Sequence, residues 1–156
     1  MKILVPVIGA VVCLGLGFLS GLSTFESIEG WYATLEKPSF NPPNWIFGPA
    51  WTLLYLLMGV AAGLIWNCGI DKPGVKTALV IFAAQFVLNM LWTPVFFGKH
   101  QIFAALVIII LLWIGILVCL IQFFQIRRIA GILLIPYLLW VSFATVLNAA
   151  IWQLNH

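Results

Sequence analysis

The sequence predicts an all-α integral membrane protein, a bundle of five transmembrane helices that forms a single domain over residues 1–156. The first observation is composition: 64% of the residues are hydrophobic and 7% are charged, whereas soluble domains carry about 25% charged residues. The second is that the chain contains five apolar runs, each long enough to cross a bilayer core of about 30 Å as a helix. These runs do not alternate apolar and polar residues, as "LVIIILLWIGILVCLI" illustrates, so a β-barrel is excluded.

The five predicted helices follow one another along the chain. They cover about residues 3–25, 44–68, 75–97, 101–124 and 129–152. Three breaks between them are short and polar: "NCGIDKPG" (67–74), "GKHQ" (98–101) and "QIRRIA" (125–130). The fourth, at about 26–43, is longer than an adjacent helix pair requires.

The first helix allows a second interpretation, because Lys2 followed by an apolar run with small residues also resembles a cleavable secretory signal. Its length of about 23 residues suits a membrane span better. Small residues recur at every fourth position and share one helix face: Gly9, Cys13, Gly17 and Gly21. Such a face, like Gly59 and Gly63 in the second helix, indicates close packing of helices, either within the chain or at a homodimer interface.

The basic residues predict the orientation in the membrane. One side would hold Lys2, Lys72, Lys76, Arg127 and Arg128, and the other only Lys37 and Lys99. Because the cytoplasmic side carries the excess of Lys and Arg, we expect a cytoplasmic amino terminus. The net charge of +3 indicates contact with the headgroups of membrane lipids, and nothing indicates nucleic acid as a partner.

The chemistry available inside the spans is limited. Their apolar cores contain no Asp, Glu, Lys, Arg or His, which argues against ion-coupled transport and against a hydrolase with a nucleophile and base. The three cysteines are isolated from one another, so neither a disulfide framework nor a metal site is expected. His100 lies in a loop and His156 ends the chain, which argues against haem or metal ligation by histidine.

The residues inside the spans that could still bind a ligand are polar amides and aromatic rings, and helical spacing places them on shared helix faces. Gln85, Asn89 and Trp92 share one face of the third helix at i, i+4 and i+7. Trp140, Ala144 and Asn148 share one face of the fifth at i, i+4 and i+8. An amide that faces lipid costs several kcal/mol unless it is paired, so we expect these groups to face the bundle interior. They either bond helix to helix or line a pocket.

The tryptophans fall into two groups according to their predicted depth in the membrane. Trp31, Trp45, Trp66 and Trp152 lie near predicted span ends, where an interfacial aromatic belt is expected. Trp51 and Trp140 lie too deep for a belt, about 10 Å inside the membrane for Trp51 at 1.5 Å per residue. Deep rings beside a few amides predict a pocket for a flat, mostly apolar ligand.

Three segments carry a family resemblance. They are "WYATLEKPSFNPPNWIFGPAWTLLYLLMG" (31–59), "QFVLNMLWTPVFFGKHQ" (85–101) and "PYLLWVSFATVLN" (136–148). In these the chain closely resembles the translocator protein family, also called tryptophan-rich sensory proteins or peripheral-type benzodiazepine receptors. The resemblance covers nearly the whole chain and implies a five-helix bundle, often a homodimer.

The resemblance also implies ligands and site residues. It implies binding of porphyrins such as protoporphyrin IX and haem, and of isoquinoline carboxamide and benzodiazepine drugs, with no cofactor required. Tyr32, Pro42, Trp51, Asn89, Trp140 and Ala144 match the ligand-lining positions of the family. With the amide faces added, the candidate ligand-binding residues are Tyr32, Pro42, Trp51, Gln85, Asn89, Trp92, Trp140, Ala144 and Asn148.

Three functions follow as alternatives: a porphyrin-binding sensor or receptor, an enzyme that degrades protoporphyrin IX in light and oxygen, and a passive carrier of porphyrins or other lipophilic molecules. For the enzyme, the resemblance implies Trp51 and Trp140 as the catalytic residues. Sterol binding through the motif of animal members is not expected, because Ala149 and Gln153 stand where that motif needs Tyr and a basic residue.

The long connection at 26–43 is interpreted as a lid. Pro38, Pro42 and Pro43 resist helix and favour a stiff, extended backbone, while Asn44 or Gly48 with Pro49 suits a helix start. We expect this lid to hold Tyr32 and Pro42 over a pocket whose wall begins at Trp51.

Overall fold

Five membrane-spanning segments form the fold. The computed structural model describes residues 3–156, so Lys2 lies outside the described residues. The α-helices are α1 (Leu4–Ser27), α2 (Phe47–Asn67), α3 (Val75–Thr93), α4 (Ile102–Ile126), α5 (Arg128–Leu133) and α6 (Ile135–Asn155). With the turns that extend α2 and α3, and with α5 and α6 taken together, they make five spans long and apolar enough to cross a membrane. The predicted all-α, five-span architecture is confirmed.

The predicted fifth helix, 129–152, is interrupted in the structure. It consists of α5 and α6, which are separated at Leu134. Pro136 has no backbone N–H, so it cannot bond the carbonyl of Ile132 one turn earlier. The Leu134 amide instead bonds the Gly131 carbonyl at 3.1 Å, three residues back, which tightens the turn and separates the two helices.

The end of the third span is also irregular. Pro94–Gly98 forms a π-helical turn, in which the Lys99 amide bonds the Pro94 carbonyl, five residues back, at 2.9 Å. A π turn widens the helix and changes the direction of the side chains that it carries. Phe96 and Phe97, in the middle of this turn, are both buried.

The contact between α1 and α2 runs through glycines. Gly9 lies directly against the backbone of Gly59, Gly63 lies against Pro6, and the ring of Tyr55 covers Gly17. Close approach of this kind is the usual role of small residues between membrane helices. The small residues therefore serve packing within the chain, except that a side chain at Gly21 would meet open space.

Replacing Gly59 with alanine should destabilise the protein by about 1–3 kcal/mol, the usual cost of over-packing. The added methyl group would overlap the backbone of Gly9, which cannot move without separating α1 from α2. Gly15→Ala is the matched control, because a Cβ at Gly15 meets nothing within 4 Å. Unfolding of both variants in detergent micelles measures the difference. Equal stabilities would contradict the assigned contact.

The bundle has two ends. The chain segment 28–43, here called the α1–α2 loop, lies at the same end as the Pro94–Gly98 turn and the carboxyl end of α6, because α1, α3 and the α5–α6 pair run towards it. We call this the loop end. The α2–α3 and α4–α5 connections lie at the opposite end. The functional residues considered below belong to the loop half of the bundle.

Candidate functional site

An aromatic cavity lies in the loop half of the bundle, between α2, the end of α3 and α6. Its free volume is about 20 Å³, far below the ~300–1,000 Å³ of small-molecule sites, so the aromatic side chains nearly fill it. The lining residues are Tyr32, Phe47, Trp51, Trp92, Phe96, Phe97, Trp140, Phe143, Ala144, Leu147, Asn148 and Ile151. Below, "the aromatic cavity" means the space between these residues.

The three tryptophans are arranged around Trp51. The Trp51 and Trp140 rings lie 6.3 Å apart between centroids and nearly perpendicular, at 88°. The Trp51 and Trp92 rings lie 6.1 Å apart and are tilted by 35°. These distances fall within the range of favourable aromatic pairs, so the indoles form a continuous wall that offers both ring faces and edges to a flat ligand.

Trp140 has a polar group without a partner in the part of the chain that the structure describes. Its Nε1 is buried, and within residues 3–156 it has no hydrogen-bond partner. A buried N–H of this kind costs free energy until an acceptor reaches it. Because Trp140 lines the aromatic cavity, a ligand that carries a carbonyl or carboxylate oxygen could supply that acceptor.

Asn148 is the main polar side chain of the wall, and its amide is already engaged. Its Oδ1 accepts from the Trp92 indole N–H at 3.0 Å, and its Nδ2 donates to the Ile102 carbonyl at 3.1 Å. These bonds join α6 to α3 and to the start of α4. Asn148 therefore fixes the orientation of Trp92 in the cavity wall.

The α1–α2 loop covers the aromatic cavity through Tyr32. This side chain is 1% exposed and packs against Phe47, Phe96 and Phe97. Its hydroxyl donates to Oδ1 of Asn41 at 2.8 Å, within the same loop. Burial raises the pKa of Tyr32 to about 12, so the phenol keeps its proton and this hydrogen bond at neutral pH.

A second contact fastens the α1–α2 loop to α6. The Glu36 amide donates to Asn155 Oδ1 at 2.9 Å, and Asn155 Nδ2 donates to the Glu36 carbonyl at 2.8 Å. Phe40 also packs edge-on against Phe143 at 6.2 Å. The loop is thus attached to the helix that carries Trp140, as expected of a cover over the cavity.

Gln85 and Asn89 are buried as expected, but they do not line the aromatic cavity. Tyr55 donates to Asn89 Oδ1, Asn89 Nδ2 donates to the Tyr137 hydroxyl, and Tyr137 donates to Gln85 Oε1, each at 2.7 Å. We call these four residues the amide–tyrosine network. It joins α2, α3 and α6 farther from the loop end than the cavity, so both amides bond helix to helix.

Of the other residues predicted for the ligand site, all but one line the aromatic cavity. Tyr32, Trp51, Trp92, Trp140, Ala144 and Asn148 come together around the aromatic cavity, whereas Pro42 is half-buried in the α1–α2 loop and is not part of the lining. Contact of a ligand with Pro42, Gln85 or Asn89 stays a prediction.

Helical spacing could have found several lining residues that the sequence analysis missed. Phe143, Leu147 and Ile151 follow Trp140 at i+3, i+7 and i+11, and Phe47 precedes Trp51 by four residues. Helical spacing could not have found Phe97, because the direction of its side chain depends on the π turn at Pro94–Gly98, which the sequence does not reveal.

The chemistry of the cavity wall is apolar and aromatic. None of the lining residues is an acid, a base of the histidine type or a thiol. In the part of the chain that the structure describes, no group of three or more His, Cys, Asp or Glu residues could hold a metal ion. The lining thus presents aromatic surface, and its residues include no nucleophile–base pair.

Comparisons with known proteins place this geometry in a family context. The family model described as the TspO/MBR family matches residues 9–153. The chain is 44% identical over 144 residues to "Tryptophan-rich protein TspO" of Chlorobaculum tepidum, covering 92% of this chain and 91% of the relative. It is 42% identical to the protein of that name from Archaeoglobus fulgidus, covering 99% of both. It is 38% identical to the human "Translocator protein", covering 97% of this chain and 91% of the relative.

Proposed function

Because this chain belongs to the TspO/MBR family, we propose that it is a sensor- or receptor-type membrane protein whose aromatic cavity binds a tetrapyrrole such as protoporphyrin IX or haem. The observation that carries the proposal is the cavity wall of Trp51, Trp92 and Trp140 closed by Tyr32. Flat aromatic ligands gain both burial and ring stacking in such a wall. Isoquinoline carboxamides fit the same description, with a carbonyl oxygen to meet the unpaired Trp140 N–H.

Binding a tetrapyrrole requires the α1–α2 loop to move. The free volume of the aromatic cavity, about 20 Å³, is far too small for a tetrapyrrole, so the lining side chains and the loop must separate to admit one. The loop is held there mainly by the Tyr32 packing and the Glu36–Asn155 hydrogen bonds, which are few enough to open and close. In this proposal the loop admits the ligand and then covers it.

The binding proposal is tested by titrating purified protein with protoporphyrin IX in the dark, monitored by absorbance and porphyrin fluorescence. Ala144→Leu should weaken binding about tenfold, or about 1.4 kcal/mol, because Ala144 is buried in the cavity wall. Ala149→Leu is the matched control, since Ala149 lies on α6 outside the lining. Saturable binding lost only in Ala144→Leu supports the proposal. Unsaturable binding, or equal affinity in both variants, contradicts it.

Deleting residues 34–41 should weaken dark binding of protoporphyrin IX about tenfold or more while the five spans stay inserted. The deletion removes Asn41, which holds Tyr32, and Glu36, which bonds Asn155. A change of tenfold corresponds to about 1.4 kcal/mol, the scale of one or two such contacts. Stopped-flow dissociation and circular dichroism measure ligand release and helix content.

Asn155→Ala provides a milder version of the same test. It removes both hydrogen bonds to Glu36 but leaves the α1–α2 loop intact, so dissociation should speed up by only a few-fold. If neither the deletion nor Asn155→Ala changed the dissociation rate, the loop would not cover the ligand.

Light- and oxygen-dependent degradation of protoporphyrin IX is the second part of the proposal. Trp51 and Trp140 are the candidate catalytic residues, because indole rings are oxidisable and lie in mutual contact in the cavity wall. The porphyrin would supply the photochemistry, and the protein would supply orientation and exclusion of water.

The carrier alternative is less favoured. The amide–tyrosine network and tightly packed side chains such as Met58 and Val141 fill the bundle beyond the aromatic cavity. A passage through the bundle interior would have to break this network. Counterflow of porphyrin in liposomes measures carriage, and flux well above that of empty liposomes would favour the carrier.

We also propose that the amino terminus faces the cytoplasm of a bacterial cell membrane. Lys72, Lys76, Arg127 and Arg128 lie at the end opposite the α1–α2 loop, where a cytoplasmic side is expected by its excess of basic residues. Reporter fusions at the carboxyl terminus test this. A fusion active only outside the cytoplasm is expected, and the reverse result would overturn the orientation.

A further inference from the structure

A second space lies beside the aromatic cavity and opens sideways between α1 and α2. We call it the lateral groove. Its free volume is about 130 Å³, and it is lined by Leu14, Gly17, Phe18, Gly21, Thr24, Phe25, Phe47, Gly48, Trp51, Thr52, Tyr55, Trp92, Thr93 and Phe97. The residues Phe47, Trp51, Trp92 and Phe97 also line the aromatic cavity, so these four rings form the wall between the two spaces.

The lateral groove narrows away from the loop end. The α1 and α2 backbones meet at Gly9 and Gly59, and the Tyr55 ring covers Gly17. Towards the loop end the helices leave room, since a side chain at Gly21 would meet nothing within 4 Å. A space that tapers between two helices suits a flexible hydrocarbon chain better than a rigid body of fused rings.

Thr93 supplies a polar anchor in this groove. The residue is 8% exposed, and its hydroxyl makes no hydrogen bond among residues 3–156, although it is not one of the fully buried polar atoms. Two other helix hydroxyls bond the carbonyl one turn earlier: Thr52 donates to Gly48 and Thr145 to Val141, at 2.8 and 2.7 Å. A hydroxyl that lacks such a bond and stays accessible from the groove is available to bond a ligand there.

The residues around Thr93 limit which kind of ligand can reach its hydroxyl. None of the described residues that line the lateral groove is charged, so a charged headgroup would find no charged partner among them. Its rim includes Phe18 and Phe25, which are 61% and 68% exposed on a span that faces lipid. The bilayer is therefore the source of the occupant, and the occupant is neutral.

We propose that the lateral groove is a second binding site, separate from the aromatic cavity, for a neutral single-chain lipid that carries a hydroxyl group. The hydroxyl bonds Thr93, and the chain lies between α1 and α2 against the outer face of the Trp51 ring. The bound lipid completes the support of Trp51 on the side away from the aromatic cavity.

The probe for this site is a long-chain alcohol that carries a photoreactive diazirine on its chain. Protein in lipid nanodiscs is irradiated with it, and the labelled residues are mapped by mass spectrometry. We expect saturable labelling concentrated on the groove-lining residues of α1 and α2, which an excess of unlabelled monoacylglycerol removes.

Gly21→Phe fills the lateral groove without meeting other atoms at its Cβ and should reduce this labelling about tenfold. Gly15→Phe is the matched control, because Gly15 is on the same helix, is equally open and does not line the groove. Thr93→Val keeps the shape of the side chain and removes the hydroxyl, so it should weaken labelling by several-fold.

Four outcomes would overturn the proposal. Unsaturable labelling spread evenly over all lipid-facing helices would mean ordinary bilayer lipid only. Equal labelling in Gly21→Phe and Gly15→Phe would show that the lipid does not lie in the lateral groove. No effect of Thr93→Val would show that the Thr93 hydroxyl does not anchor the lipid. If porphyrin reached the aromatic cavity more slowly in Gly21→Phe while lipid labelling was unchanged, the lateral groove would be an entry route for porphyrin and not a lipid-binding site. The labelling does not use porphyrin, so its failure is distinct from a failure of the porphyrin proposal.

Discussion

Replacing Trp51 and Trp140 together with phenylalanine should nearly abolish the light-dependent loss of protoporphyrin IX while most dark binding remains. Both indoles line the aromatic cavity and contact each other. Phenylalanine keeps much of the apolar area, so we expect affinity to fall by about tenfold or less, since an aromatic pair contributes about 0.5–1.5 kcal/mol beyond burial. It lacks an indole, which can form a transient radical beside the excited porphyrin.

The measurement is porphyrin absorbance under illumination in air, with dark and oxygen-free samples in parallel. Trp45→Phe with Trp66→Phe is the matched control, because both of these rings are exposed and neither lines the aromatic cavity. Degradation at the original rate in the Trp51 and Trp140 double variant would remove the proposed role of the indoles. Degradation that is slow in every variant, with binding intact, would favour a sensor without this activity.

Replacing Asn89 with leucine should destabilise the protein by about 2–4 kcal/mol. Asn89 is 1% exposed and joins Tyr55 to Tyr137 in the amide–tyrosine network. Without it the Tyr55 hydroxyl loses its acceptor and Tyr137 loses a donor, and each buried polar group left unpaired costs about 1–3 kcal/mol. In the apolar interior no water is at hand to replace these bonds.

Unfolding in detergent micelles measures this effect. Adding Tyr55→Phe to Asn89→Leu should restore part of the lost stability, because it removes one of the orphaned hydroxyls. Ser142→Ala is the control for an ordinary bond: it breaks the partly exposed link from Trp113 and should cost no more than about 1.5 kcal/mol. If Asn89→Leu cost no more than Ser142→Ala, the network would not hold α2, α3 and α6 together.

Much of the fold could be predicted from sequence because the bilayer imposes one simple requirement on each span. Each must be about 20 apolar residues with its backbone bonds satisfied within the segment. The break at Leu134 and the π turn at Pro94–Gly98 are different. Pro136 and Pro94 are visible in the sequence, but whether a proline starts, kinks or widens a helix depends on the packing around it.

The candidate site could be predicted in part. Trp51 and Trp140 were separable from the exposed Trp45 and Trp66 by depth alone, and the structure places them in one wall. The burial of the amides was also predictable, but their roles were not. Asn148 lies in the cavity wall, whereas Asn89 lies in the amide–tyrosine network, although both are asparagines on an inward helix face.

Composition and hydropathy by themselves determined the environment, the number of spans and which side chains must face inward, because these depend on the transfer of each residue between water and lipid. Only the tertiary structure decided which inward-facing groups bond each other and which border empty space. That choice depends on how α1, α2, α3 and α6 approach one another at Gly9, Gly59 and Tyr32, and distances between helices are not local properties of a sequence.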